Sequence, residues 1–395
     1  MKSLNEKLTL LKNNLKNRAA RVMIIGLGSV GGYLLDYLLS TRDENLEIYV
    51  VGRDRNKMQS DVNINVIASC IRHQNRSKVT IIDGVDLNDI PKITETLKNV
   101  QPDIIVNASR AYPGLKYGSI SWPKLRAYGI WTPLSIKFTK NIMEAVEQSQ
   151  SDAIVINTSY SDAVIPWLKS AGKAYPDFGS GNVNHLIPRI KLAVAKLENI
   201  ADFWNIDITF AVAHFHDVCI SKEGQTEGVD MLIDIHYNGQ KLNPDMNKVF
   251  ELCSIPMPVD AKRNMMNASS NFEIIDSILD VCRNGGKKKL HIPGFDGNIG
   301  GYPVIIDGSA ADVKAYVDET YFSLEEMIGK NRESIYLDGV ENVCDGTLFY
   351  TDELIAKVKK AFGIDLMKSV KFDEISQAAA FIIDKIITPQ INMDK

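Results

Sequence analysis

The chain has 395 residues, of which 45% are hydrophobic and 24% are charged, and its formal net charge at pH 7 is −4. This length allows two domains with hydrophobic cores, and the composition is that of an ordinary globular protein. The small negative charge gives no reason to expect nucleic acid or an anionic membrane as a partner, and no apolar run reaches membrane-spanning length.

Residues 1–20 predict a short amphipathic helix with Leu4, Leu8, Leu11 and Leu15 on one face. The first seven residues lack the apolar stretch and cleavage site of a secretory signal, so we expect a cytoplasmic protein. The five cysteines are scattered and form no Cys-x-x-Cys pair. The sequence therefore predicts neither a disulfide framework nor a metal site.

The most informative motif lies at 22–32. Apolar residues lead into Gly26-Leu-Gly28-Ser-Val-Gly31, and an apolar stretch with helical spacing follows at 33–39. In such a strand–turn–helix unit, Gly26 permits the sharp turn, Gly28 lets the backbone approach a pyrophosphate, and Gly31 lets the helix pack closely on the strand. The N–H groups at the helix start would face the phosphates. The motif predicts a dinucleotide-binding turn made of Gly26, Gly28, Ser29, Val30 and Gly31.

Strand and helix patterns alternate from residue 21 to about 160. The predicted strands are 22–25, 47–51, 79–82, 103–107 and 153–157, and the clearest helices between them are 31–40, 90–99 and 132–150. Repeated strand–helix units predict an α/β fold with a doubly wound parallel Rossmann sheet. We assign residues 21–200 to this domain, and expect its ligand at the carboxyl ends of the strands.

The pattern changes after a predicted helix at 182–199. Predicted strands are 207–213, 231–237, 289–292 and 302–307, and predicted helices are 258–285, 309–328, 351–362 and 372–387. This mixture predicts a second, α+β domain at 201–395, which we expect to serve substrate binding and oligomerisation.

The end of the second strand bears on the choice of cofactor. Gly52 stands where NAD-binding domains usually carry an acid for the ribose hydroxyls, and Arg53, Arg55 and Lys57 follow. Guanidinium groups suit phosphate geometry, so the segment favours NADP, while Asp54 keeps NAD possible. After the third and fourth strands, position in the fold predicts further cofactor contacts at Asp86, Asn107, Ala108 and Ser109.

The layout of residues 21–220 resembles the lactate/malate dehydrogenase family. Asn157 matches the asparagine at the end of one family strand, Gly179-Ser-Gly181 matches a turn that opens a helix, and His214 or His216 matches the region of the catalytic histidine. Asn184-His185 stand at the place of the family's aspartate, so an Asp–His pair is not expected from this segment. The resemblance implies a nicotinamide-dependent dehydrogenase.

A second resemblance covers the cofactor domain alone. The run from Asp86-Leu-Asn-Asp-Ile to Pro102-Asp-Ile-Ile-Val-Asn107-Ala108 is similar to the third strand, helix and fourth strand of saccharopine dehydrogenase-like reductases. It implies NAD(P) binding without specifying a substrate.

These features lead to a catalytic hypothesis. His214 or His216 exchanges a proton with the substrate oxygen, because histidine titrates near neutral pH. Alternation along a strand would point both rings to one face. Asn157 would hold the substrate or the carboxamide, and His185 is either a substrate ligand or a neighbour of a helix cap. A substrate carboxylate would be bound by one of two arginines, Arg110 or Arg189.

The sequence thus predicts an NAD(P)-dependent oxidoreductase that acts on a small polar carbonyl or hydroxyl compound bearing a carboxylate. One alternative is an opine- or saccharopine-type imine reductase, and another is a protein that senses the dinucleotide without turnover. We expect NADP as cofactor, with NAD possible, and a homodimer or homotetramer.

Overall fold

The computed structural model describes residues 1–41 and 45–393. Its centre is a six-stranded parallel sheet with the order β3-β2-β1-β4-β5-β6. The strands are β1 (Ala20–Ile25), β2 (Leu46–Val51), β3 (Lys78–Ile82), β4 (Ile104–Asn107), β5 (Ile154–Asn157) and β6 (Phe178–Gly179). This order is that of the doubly wound dinucleotide-binding fold, so the predicted fold class is confirmed.

Helices cover both faces of this sheet. The helices of the first 200 residues are α1 (Leu4–Asn14), α2 (Ser29–Leu39), α3 (Arg55–Arg72), α4 (Ile90–Val100), α5 (Gly114–Ile120), α6 (Thr132–Ser149), α7 (Ser161–Ser170) and α8 (Val183–Glu198). Short side chains fix several helix starts: the carboxylate of Asp54 accepts a hydrogen bond from the N–H of Lys57, and that of Asp89 from the N–H of Lys92. The chain between α5 and α6 forms a π-turn at Ser121–Leu125 and a 3-10 turn at Gly129–Trp131.

The rest of the chain forms three antiparallel three-stranded sheets. Their strands are β7 (Ile206–Ala211), β8 (Leu232–Tyr237), β9 (Gln240–Lys241), β10 (Lys287–Pro293), β11 (Gly301–Asp307), β12 (Lys314–Val317), β13 (Val340–Cys344), β14 (Thr347–Tyr350) and β15 (Ser369–Lys371). The helices are α9 (His214–Glu223), α10 (Met246–Cys253), α11 (Asn264–Asn284), α12 (Leu324–Leu337), α13 (Asp352–Phe362), α14 (Ile375–Ile382) and α15 (Thr388–Met393). This part has the predicted α+β character.

The predicted helix at 309–328 is wrong. Residues Lys314–Val317 pair with β11 as the edge strand β12, and a helix begins only at Leu324. The reason is local: the Ser323 hydroxyl accepts from the N–H of Glu326, whose side chain bonds back to Ser323, and this capping box sets the helix start.

Alternate residues of the parallel strands enter two different cores. Met23 and Ile25 pack with α4, α6 and the C-terminal helices, whereas Val22 and Ile24 pack with α1, α2, α11 and the β10–β11 sheet. This follows from the two-residue period of a strand buried on both faces. Residues beyond 200 contribute to both cores, and the division into domains at that residue stays a prediction.

The helix α1 is attached to the sheet by a buried ion pair. Lys7 Nζ lies 3.0 and 2.8 Å from the two carboxylate oxygens of Asp177, and the Lys7 side chain is 1% exposed. Asp177 Oδ2 also accepts a hydrogen bond from the N–H of Val155 in β5. The pair thus links α1, β5 and the approach to β6. Within the described residues, no helix is long and apolar enough to cross a bilayer.

We predict that Lys7→Met lowers the free energy of unfolding by about 3–5 kcal/mol, because it leaves the Asp177 carboxylate buried without its cation. Urea unfolding at neutral pH measures the loss. Lys2→Met is the matched control, since the Lys2–Asp152 pair is exposed and should contribute less than about 1 kcal/mol. Equal effects of the two substitutions would contradict the prediction.

Candidate active site

A cleft of about 1070 Å³ opens at the carboxyl edge of the parallel sheet. Its wall includes the residues that follow β1 to β5, where the strand ends of a doubly wound sheet commonly bind ligands. On the other side it is closed by α5, the start of α9 and the first turns of α11. Its lining residues form two groups: those that follow β1–β3, called the β2 end, and those around the start of α9, called the α9 end.

The glycine turn at the first end has the predicted geometry. Gly26 has φ +94°, and a Cβ on it would lie 3.1 Å from Ser109 Cα. A Cβ on Gly28 would meet nothing within 4 Å, so the open cleft lies there, whereas one on Gly31 would lie 2.2 Å from the Gly26 carbonyl oxygen. Gly28 therefore leaves ligand space, and Gly31 allows the close contact of helix and strand. Ser29 and Val30 also line the cleft.

The end of β2 contributes cations to the same end of the cleft. Arg53 and Lys57 line it, and neither forms an ion pair with any described residue. Arg55 instead pairs with Asp83 at 2.9 Å. Asp54 lines the cleft too, but one carboxylate oxygen is used as the α3 cap. The arrangement leaves two positive side chains available to an anionic group.

The middle of the cleft is formed by the residues after β3 and β4. Asp86, Ala108 and Ser109 line it. The pKa of Asp86 is lowered because its carboxylate accepts hydrogen bonds from Asn88, and the bond from the backbone N–H has the largest effect. Ser109 is held by Asn107 Oδ1, which accepts from its N–H at 3.1 Å and its hydroxyl at 2.6 Å.

Asn107 and Asn157 lie beneath the cleft and not in its wall. Both are buried, and Asn107 Nδ2 donates to Asn157 Oδ1 at 3.2 Å and to the Thr139 hydroxyl at 3.0 Å. Asn157 Nδ2 donates in turn to the Ser159 carbonyl and the Ser161 hydroxyl. These two side chains therefore support the residues above them and do not contact a ligand as predicted, because their polar groups are already hydrogen-bonded within the chain.

His214 is the first residue of α9 and lines the other end of the cleft. Its Nδ1 lies 2.8 Å from Asp338 Oδ2, and Asp338 is fully buried at the end of α12. Asp338 also accepts from the Tyr160 hydroxyl and from the N–H of Tyr128, each at 2.7 Å. Since a carboxylate can only accept, Nδ1 carries the proton, and Nε2 is the atom left for a ligand.

Two tyrosine rings fix the plane of His214. Tyr128 and Tyr160 meet it edge-on, with centroids 4.8 and 5.1 Å away. Burial opposes a charge on the ring, but the charges of Asp338, Asp162 and Asp217, with the Asp338 hydrogen bond, outweigh it, so the pKa of His214 is raised. Tyr160 has φ +45°, a strained conformation for a tyrosine. The residues missed in the sequence, Asp338 and Tyr160, set the ring's orientation.

His216 does not share this site, and the expected strand alternation is wrong. Both histidines lie in a helix, where residues two apart point about 200° away from each other. His216 Nδ1 lies 2.7 Å from the Ser334 hydroxyl, and Nε2 lies 3.1 Å from the Thr226 carbonyl. The ring is fully buried on the face of α9 turned away from the cleft, and it is not part of the cleft wall.

His185 and Asp217 complete this end of the cleft. His185 Nδ1 lies 4.0 Å from Asp217 Oδ2. Burial, assisted by Arg263 and Arg189, lowers the pKa of His185 to about 3, so its ring is neutral. Burial raises the pKa of Asp217 to about 7, against the effects of His214 and the two arginines. Asp217 lies three residues after His214, a spacing that identifies it once the segment is known to be helical.

The predicted arginines lie in different places. Arg110 lines the cleft and is exposed, with one guanidinium N–H 3.4 Å from the Tyr117 hydroxyl. Arg189 is buried away from the cleft and donates to the Cys253 carbonyl and to Met257 Sδ. Arg263, in a 3-10 turn before α11, lines the cleft instead, together with His185, His214 and Asp217. No motif in the sequence distinguished Arg263 from other surface arginines.

One cluster outside the cleft has metal-ligand chemistry. Ligand atoms of Cys219, Glu223 and Glu227 lie within 4.8 Å of one another. The Arg126 guanidinium pairs with both glutamates and lowers the pKa of Glu223 to about 2. Arg126 thus supplies the positive charge at this cluster, and we assign no metal to it.

Comparison with known proteins confirms both resemblances at the level that each supports. Residues 22–117 match the family model of the saccharopine dehydrogenase NADP binding domain. Among curated proteins, no sequence matches the chain. The matched family and the fold support an NAD(P)-dependent oxidoreductase with a nicotinamide dinucleotide cofactor, and neither identifies the substrate.

Solved dehydrogenase structures share the fold. Malate dehydrogenase of Cryptosporidium parvum superposes with a TM-score of 0.54 and 14% identity, covering 81% of this chain and 98% of that one. Lactate dehydrogenase of Eimeria maxima, solved with NADH and oxamate, gives 0.52 and 15%, covering 81% and 92%. Malate dehydrogenase of Picrophilus torridus, in its apo form, gives 0.53 and 15%, covering 81% and 96%.

We predict that two glycine substitutions separate ligand space from packing. Gly28→Val should leave the melting temperature nearly unchanged but lower NADPH affinity by at least about tenfold, because its side chain projects into the open cleft. Gly31→Ala should destabilise the protein by about 1–3 kcal/mol, because its methyl group collides with the Gly26 carbonyl. Thermal unfolding and NADPH fluorescence titration measure the two effects. Normal NADPH binding by Gly28→Val would place the pyrophosphate elsewhere.

Proposed function

We propose that this protein transfers a hydride between NADP(H) and a small polar carbonyl or hydroxyl compound that carries a carboxylate. The observation that carries the proposal is the His214–Asp338 pair at the cleft, because it presents an oriented imidazole Nε2 at the α9 end, which we call the catalytic end. The glycine turn lies at the opposite end of the same cleft. A dinucleotide along the strand ends would thus reach His214.

His214 acts as the acid–base group in this proposal. When bound, the nicotinamide supplies or accepts the hydride. In the direction of reduction, protonated His214 gives its Nε2 proton to the substrate oxygen, and in oxidation neutral His214 removes it. Asp338 holds the ring and stabilises its charged form, while Tyr128 and Tyr160 keep it in place.

Arg263 is our candidate for binding the substrate carboxylate. It lines the catalytic end near His185 and Asp217, on whose pKa values its charge acts, and it forms no ion pair with the described residues. Arg110 also lines the cleft and is the alternative, whereas Arg189 is occupied by the Cys253 carbonyl. A guanidinium can bind a carboxylate through two parallel hydrogen bonds.

The choice of NADP rests on Arg53 and Lys57. Both line the cleft beside the end of β2, where the adenosine ribose would lie, and a second phosphate there would meet two cations. The capping role of Asp54 weakens the case for NAD, because that carboxylate is already turned toward α3. The predicted cytoplasmic location and homo-oligomeric state stay predictions from the sequence.

We expect Arg53→Ala to weaken NADPH binding by about 10- to 100-fold, because a charge-assisted bond to the extra phosphate is lost. NADH affinity should stay within about threefold of wild type. Fluorescence titration with each nucleotide measures both. Arg55→Ala is the matched control, since Arg55 is turned to Asp83. Equal losses for NADPH and NADH would contradict the assignment of Arg53 to the extra phosphate.

We expect Asp338→Asn to move the pH profile of carbonyl reduction to lower pH. Reduction needs protonated His214, so the rate falls as pH rises through the raised pKa of that ring. Without the Asp338 charge, burial lowers the pKa, and the fall should begin at least about one pH unit earlier. The measurement is kcat over about pH 5 to 10 for a substrate found by screening 2-oxo acids with NADPH.

The matched control for this profile is Asp234→Asn. Asp234 pairs with His236 at 2.9 Å in a second His–Asp pair, and neither residue is part of the cleft wall. Its substitution should leave the profile in place. A profile that is unchanged by Asp338→Asn would remove His214 from the proton-transfer step.

A further inference from the structure

One carboxyl group at the catalytic end has no assigned task. Asp217 lies on the same face of α9 as His214 and lines the cleft, yet it is only 6% exposed. Its Oδ1 is buried without a hydrogen-bond partner among the described residues. A buried carboxylate oxygen that accepts no hydrogen bond costs free energy, so its retention at a cleft points to a ligand that donates to it.

The groups around Asp217 do not neutralise it within the chain. The nearest basic side chain is His185, with Nδ1 4.0 Å from Oδ2, and that ring is neutral because burial lowers its pKa. The charged groups that face Asp217 from the same and neighbouring elements act on it without forming a direct ion pair; they are His214, Arg263, Arg189 and Asp162. A binding position beside Oδ1 is therefore left for a cation.

We propose that Asp217 binds a protonated amino group of the substrate while Arg263 binds its carboxylate, so that the substrate is an amino-bearing oxo or hydroxy acid. This proposal rests on the function proposed above and names the class of its substrate. The amino group is a recognition element and does not react: the hydride adds to the carbonyl carbon, the proton from His214 adds to its oxygen, and the carbon–nitrogen bond stays intact.

An ammonium group fits the position better than the alternatives. It donates up to three hydrogen bonds, and its positive charge would pair with the buried carboxylate. A hydroxyl donates one bond and brings no charge, and a second carboxylate would be repelled by Asp217. Because the ring of His185 is neutral, it does not repel a nearby cation as an imidazolium would.

The test compares matched ligands on the protein saturated with NADP. The pairs are 2-amino-3-hydroxypropanoate with 3-hydroxypropanoate, 2-amino-4-hydroxybutanoate with 4-hydroxybutanoate, and 4-amino-3-hydroxybutanoate with 3-hydroxybutanoate. In at least one pair the amino compound should bind at least about tenfold more tightly in calorimetric titrations. In Asp217→Asn this preference should fall to about threefold or less. Equal affinities within all three pairs would overturn the proposal.

Stability gives a second measurement on the same variant. Because its folded-state pKa is raised, the Asp217 carboxylate destabilises the fold increasingly from about pH 4 to about pH 7, and fully above that. Asp217→Asn, and also Asp217→Ala, should therefore raise the melting temperature at about pH 8. Asp276→Asn, at an exposed acid of α11, is the matched control and should change neither stability nor ligand preference. A lower melting temperature in both Asp217 variants would assign Asp217 a structural role and overturn the proposal.

The failures of the two proposals are distinguishable. If NADPH does not bind, or no carbonyl compound is reduced, the proposed function fails. If NADPH binds and a 2-oxo acid is reduced, but wild type and Asp217→Asn bind amino and non-amino ligands equally, the function stands and the amino-group proposal fails.

Discussion

The α9 end of the cleft depends on the hydrogen bonds to the buried Asp338 carboxylate. Three donors from separate parts of the chain converge on it: the N–H of Tyr128, the hydroxyl of Tyr160 and Nδ1 of His214. A charge in a fully buried position is tolerated only with such partners. The backbone carbonyl oxygen of Asp338 also accepts a hydrogen bond from the N–H of Gly129, and a Cβ on Gly129 would lie 2.6 Å from that oxygen. The end of α12 thus aligns the segment before α6, the start of α7 and the start of α9.

Buried polar groups in this region differ in whether the chain satisfies them. Asn107 and Asn157 bond to each other and to neighbouring hydroxyls and carbonyls, so they stiffen the edge of the sheet under the cleft. Asp162 accepts from the N–H of His214 and from Asn182, which anchors the first turn of α9. Asp217 Oδ1 has no such partner. This contrast distinguishes residues that hold the site from Asp217, whose buried carboxylate oxygen can still accept a hydrogen bond.

The two ends of the cleft have different electrostatic designs. The end at β2 presents Arg53 and Lys57 as solvated cations, suited to phosphate, and the glycine turn adds N–H groups at the start of α2. The end at α9 combines acids and cations in a buried setting, where the pKa values of His214, His185 and Asp217 diverge. Groups with divergent pKa values at one place are typical of a site for proton transfer.

The sequence by itself determined the parallel sheet and the glycine turn, because strand and helix periodicity and the spacing of Gly26, Gly28 and Gly31 are local properties. It also identified His214 as a candidate acid–base residue. Only the tertiary structure decided that His214 pairs with Asp338, 124 residues further along the chain, and that His216 turns away from the cleft. The sequence predicted no Asp–His pair, because Asn184 and His185 stand at the place of the family's aspartate. Pairing across distant segments leaves no local pattern, and the helical start of α9 depended on contacts that periodicity over four residues cannot reveal.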